Sequence, residues 1–148
     1  MKITIVSGSH RNPSQSMKVA RFIEQTLQQH RLCDALGIDA GRIKLFCVDS
    51  IDAESWYDFG VAPEARNARH EAYDRYVTGE VVAFIRAHCQ APQANILTNG
   101  CSMGAYHAVN FFFKHPGLFG GTIAVSGLYR LDRPEFGLQS HDLEPVYY

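Results

Sequence analysis

In the stretch NGCSMGA, residues 99–105, Gly100, Ser102 and Gly104 form the pattern Gly-x-Ser-x-Gly. A serine flanked this way suits a sharp strand-to-helix turn, where its Oγ stands clear of the backbone as a nucleophile for acyl transfer. The N–H of Met103 would open the helix and donate to an oxyanion, with a second donor from the loop Gly8–His10. The hydroxyl also needs a base. Of seven histidines, His10 is the one whose loop is expected to face Ser102. His107 lies five residues along the same helix, a poor direction for taking the proton. His115 falls at a helix C-terminus, where it caps and meets the dipole. His141 and Asp142 are adjacent in a tail, and adjacency in sequence does not make a dyad. His30, His70 and His88 are expected in surface or capping positions, so Ser102 is an elbow serine whose only topological base is His10.

A second stretch, SGSHRNPSQS at residues 7–16, is dense in donors. Its plain reading is a polar loop between strand and helix, with a serine as N-cap. The same hydroxyls, one guanidinium and the N–H groups of a helix start also suit a phosphate or sulfate. Neither stretch carries metal-ligand spacing, and no metal site is expected.

These residues need elements to hold them. KITIVSG (residues 2–8) is β-branched and reads as a buried strand. After it, Val19, Ala20, Ile23 and Leu27 recur at helical spacing, with Ser14 or Ser16 as N-cap. RIKLFCVDS (residues 42–50) is a second strand, followed by a long loop through Trp56, Gly60 and Pro63. Within that loop Asp49, Asp52, Trp56 and Tyr57 read as an ordinary wrapping segment that could line a cleft. Tyr73, Tyr76, Val77, Val81, Phe84, Ile85 and His88 form one apolar helical stripe. ANILTNG is a third strand, Met103–His115 a helix closed by Pro116 and Gly117, and GGTIAVSG a fourth strand. The tail from Leu128 to Tyr148 shows no strong period.

The alternation predicts one α/β domain over residues 1–148: a three-layer sandwich on a parallel sheet of about four strands, in the flavodoxin-like order 2-1-3-4. Ligands in such sheets gather at the carboxyl ends of the strands near the switch point, which sets SGSHRNPSQS beside NGCSMG. The formal charge of −1 and pI near 6.6 give no electrostatic case for nucleic acid or an anionic membrane. No segment is apolar and long enough to span a bilayer, and the opening MKITIVSGSHR is no signal peptide, so the cytoplasm is the expected compartment. Four cysteines without paired spacing read as buried, reduced thiols. An open sheet edge and the run Phe111–Phe113 leave room for a homodimer.

The first thirty or so residues, through ITIVSGSHRNPSQSMKVARFI, resemble the NADPH-dependent FMN reductases, a flavodoxin-like family. That resemblance implies that Ser9, Arg11, Ser14 and Ser16 hold an FMN phosphate, with Gln15 nearby. From about Cys33 onward, GRIKLFCVDSIDAESWY and GCSMGAYHAVNFFFKHPGLFGGTIAVSGLY resemble putative esterases of the α/β-hydrolase fold. In those enzymes the acid and histidine follow the nucleophile on later loops, and only 44 residues follow Gly104 here. The two resemblances together imply a chimera joined within QQHRLCDALG, an engineered or selected scaffold with an elbow and little or no catalytic activity. The alternatives are a weak serine esterase acting on a small ester through Ser102, or a binder of phosphate or FMN.

Overall fold

The structure is a computed structural model that describes residues 3–7 and 43–143. Among the described residues, four strands form a parallel sheet in the order β2-β1-β3-β4: β1 Ile3–Ser7, β2 Ile43–Cys47, β3 Asn95–Cys101 and β4 Gly121–Val125. In the register, Val6 lies opposite both Phe46 and Thr98, and Thr98 opposite Thr122. The expected α/β class with a parallel sheet therefore holds. All four strands end at one edge, and that edge carries Ser102 directly after β3.

One sheet face is built by alternation along β3. Ile96, Thr98 and Gly100 are buried, whereas Asn95, Leu97 and Asn99 are only half-buried. Against the buried face pack two helical segments. The first runs as α1 Pro63–Arg75, a wide π-helical turn Tyr76–Val81, and α2 Val82–His88. The second is α3 Met103–Lys114. Tyr73, Val77, Val81, Val82, Ile85 and Cys89 meet Ile96, Phe111 and Phe119 in a continuous core. Each large aliphatic side chain removed from water there contributes about 2 kcal/mol. Thr98 closes the contact by donating its hydroxyl to the Ala108 carbonyl of α3 at 2.8 Å. The second helical layer expected on the opposite face falls on residues 8–42, outside the described residues.

Several expectations need correction. The segment after β2 is not a continuous loop through Pro63, because a 3-10 turn forms at Asp52–Glu54 and α1 begins at Pro63. Proline fits the first helical position, where its missing N–H would have no partner in any case. The long apolar stripe also divides. Tyr73, Val77, Val81 and Ile85 face inward, but Tyr76, Phe84 and His88 are exposed. The π turn holds more residues per turn than an α-helix, so the inward phase shifts across it.

The tail is likewise ordered through Leu143. Two 3-10 turns, Pro134–Phe136 and Ser140–Leu143, carry Leu131, Phe136, Leu138 and Leu143 into a second core with Trp56, Met103 and Tyr106. Cys89 is buried and free, as read from sequence, but Cys47 and Cys101 are free and exposed. Both end their strands, where the sheet opens to solvent. Phe113 stands 73% exposed while Phe111 is core. No helix among the described residues is long and apolar enough to cross a membrane.

Candidate active site

Ser102 stands at φ 56°, ψ −122°, between the end of β3 and the start of α3. A non-glycine residue at positive φ is strained by about 1–3 kcal/mol and persists only where its surroundings hold it. Here they do. The Ser102 N–H donates to the Val125 carbonyl at the end of β4 at 3.0 Å. Its carbonyl accepts from Ala105 at 3.0 Å, and from Tyr106 and Leu128 at 3.4 Å each. The elbow is thus clamped by the helix it opens and by the strand and loop beside it. Replacing Ser102 with glycine is expected to raise stability by about 1 kcal/mol, read as a higher Tm, by removing that strain. A Tm equal to or below that of the parent would contradict it.

The glycines explain why the turn can be so tight. A Cβ on Gly100 would lie 1.9 Å from the Gly104 carbonyl oxygen and 2.6 Å from the Ala105 nitrogen. Strand and helix backbones are therefore in contact at the elbow, and only hydrogen fits between them. Ser102 itself is exposed, as is Cys101 before it, while Met103 to Ala108 are buried. The Ala105 and Tyr106 N–H groups are taken up by the Ser102 carbonyl. Those of Met103 and Gly104 have no hydrogen-bond partner among the described residues, as expected for the first donors of a helix. A reacting acyl oxygen near Ser102 would meet the positive end of α3.

The family model for the putative esterase family matches residues 4–137. The chain belongs to that family. The match begins in β1 and takes in the segment read from sequence as flavin-reductase-like, so it supports the esterase reading over residues 4–137 and lends no support to a junction. No curated protein and no solved structure matches the chain.

Esterase chemistry at Ser102 needs a base, and the histidines are placed as follows. His10 and the anion-loop residues Ser9, Arg11, Ser14, Gln15 and Ser16 lie outside the described residues. Among the described residues no side chain hydrogen-bonds the Ser102 hydroxyl. His115 is the C-cap of α3, as expected, and its Nε2 lies 2.7 Å from Asp74 Oδ1. His141 Nε2 lies 3.3 Å from Asp142 Oδ1, on an exposed side chain.

His107 and His70 are the departures, since both are buried rather than surface residues. His107 Nε2 lies 2.6 Å from Asp52 Oδ1, and Ser50 Oγ donates to Asp52 Oδ2 at 2.8 Å. An Asp–His pair is the arrangement a general base needs, but this one is turned away from the elbow. Asp52 and His107 are both buried, whereas Ser102 is exposed, and neither hydrogen-bonds its hydroxyl. His107 stacks on His70 at 5.4 Å between ring centres, and the Asn110 side chain meets His70 Nε2 at 3.1 Å. Burial, followed by the neighbouring His107 and Lys114, holds the His70 pKa well below its usual range, so the ring is neutral.

This buried polar layer binds α3 to α1 and to the segment after β2, and so fixes the elbow helix from behind. Further links extend it. Arg66 Nη1 donates to the Phe136 carbonyl at 2.8 Å, and Asn67 Nδ2 to the Asp142 carbonyl. Lys114 Nζ reaches Glu71 at 2.8 Å and Asp74 at 3.6 Å. The spacing Arg66, Asn67, His70, Asp74 is a polar stripe at helical period, the signal that would have revealed it. Of the set after β2, Asp52 and Trp56 are internal whereas Asp49 and Tyr57 are exposed, so the four do not share one cleft. No group of His, Cys, Asp and Glu among the described residues could hold a metal ion.

Proposed function

We propose that the chain is a serine-type carboxylic ester hydrolase of low activity, with Ser102 as nucleophile and the Met103 N–H as an oxyanion donor. The observation that carries this is the backbone of Ser102: a positive φ between a parallel strand and a helix, with Gly100 and Gly104 in backbone contact. The family match supports the same chemistry.

Attack by Ser102 Oγ on an ester carbonyl forms a tetrahedral oxyanion at the N-terminus of α3. Collapse expels the alcohol and leaves an acyl-serine, which water then hydrolyses. The proton leaving Ser102 goes to His10 or to water. With a base of that quality the enzyme keeps the contribution of oxyanion donors and positioning but lacks most of the acceleration a full triad brings.

An activated ester lowers the demand on the base, so p-nitrophenyl acetate is the substrate of choice. Its hydrolysis is expected to fall at least tenfold in Ser102→Ala, a loss of about 1.4 kcal/mol of transition-state stabilisation or more. Equal rates for the two proteins would refute the assignment.

A further inference from the structure

Away from Ser102, a cleft of about 740 Å³ opens at the carboxyl end of β2. That volume is ample for a small organic ligand. Among the described residues four aromatic side chains line it: Phe46 from β2, Tyr73 from α1, Tyr76 from the π turn and Phe84 from α2. Tyr76 and Phe84 are 45% and 59% exposed, and the Tyr73 and Tyr76 rings lie 6.4 Å apart at 30°. The π turn supplies both Tyr76 and Val81 to the wall, and such turns often occur at functional sites.

The charge in the cleft is lopsided. Arg69 donates to Glu54 Oε2 through Nη2 at 2.6 Å and Nε at 3.0 Å, so these two groups satisfy each other. Asp49 is exposed, and its carboxylate makes no hydrogen bond or ion pair among the described residues. Its field reaches the lining: partial desolvation at the strand end, then the charge of Asp49, raises the Cys47 thiol pKa, and Asp49 adds to the larger effects of burial and of Asp52 and Tyr76 on Tyr73.

A cleft with aromatic walls and a carboxylate that has no partner among the described residues calls for a ligand of matching character. We propose that it binds an organic cation, an amine or quaternary ammonium group on an aromatic or alkyl body, with Asp49 as counter-ion and the aromatic walls as the cation–π surface. No residue of this site is shared with the Ser102 elbow, so the two proposals stand or fall separately.

Calorimetric titration of the full chain with benzyltrimethylammonium tests it, with benzyl alcohol and phenylacetate as neutral and anionic comparisons. Saturable binding of the cation is expected, together with a much weaker response to the other two. Asp49→Asn and Tyr76→Ala, both changes at exposed side chains, should each weaken cation binding about tenfold. Absence of saturable cation binding, equal binding of phenylacetate, or unchanged affinity in Asp49→Asn would each overturn the proposal.

Discussion

Asp52→Ala is expected to destabilise the protein by about 3 kcal/mol, read as a lower urea midpoint with little change in slope. Asp52 is 7% exposed and accepts from Ser50 while facing His107 Nε2 at 2.6 Å. Truncation leaves the partners of that carboxylate buried among apolar groups, and breaking such a pair typically costs about 3–5 kcal/mol. The lower end applies because the Ser50 hydroxyl can turn to seek another acceptor. The control is the double change Asp52→Leu with His107→Leu, which removes both polar groups together. It should recover part of the loss, since an apolar pair of suitable shape leaves no imidazole unpaired and only the Ser50 hydroxyl in need of a new acceptor. If Asp52→Ala melts like the parent, the layer does not hold α3 in place.

The second large effect is expected at Gly100→Ala. The added methyl would sit 1.9 Å from a backbone oxygen, and backbone cannot swing aside as a side chain can. Strand and helix must separate, with a loss of about 3 kcal/mol, at the upper end for overpacking. Activity should fall further than stability explains, because separation moves the Met103 N–H away from the oxyanion. By contrast, Gly79→Ala meets nothing within 4 Å and serves as the control for a glycine-to-alanine change. A Gly100→Ala protein with parental Tm and ester hydrolysis would mean that the elbow tolerates a looser turn.

The turn at Ser102 was legible in the sequence because its geometry is local. Gly100, Ser102 and Gly104 encode a tight turn within five residues, and the strand and helix on either side follow from their own apolar pattern. The parallel sheet was legible for a related reason, since each β-strand is a short apolar run between helical segments. The polar layer behind the elbow was not found. Asp52, His70 and His107 come from three separate elements, and each alone looks like a surface residue. Only the packing of α1 on α3 brings them together. The π turn was hidden too, because Tyr73, Tyr76, Val77 and Val81 satisfy an apolar stripe while the wide turn puts Tyr76 outside. The tail showed no period since Leu131, Phe136, Leu138 and Leu143 enter the core through 3-10 turns, not through a regular helix.

The account rests most heavily on Ser102 being a nucleophile rather than merely a strained corner. Treatment with a fluorophosphonate, followed by intact mass and peptide mapping, asks this directly, because the reagent forms a stable phosphonyl adduct with an activated serine and displaces fluoride. The expected result is a single adduct on the peptide bearing Ser102, absent in Ser102→Ala and slower to form in Gly100→Ala. An unlabelled protein, or a label on another residue that persists in Ser102→Ala, would contradict it.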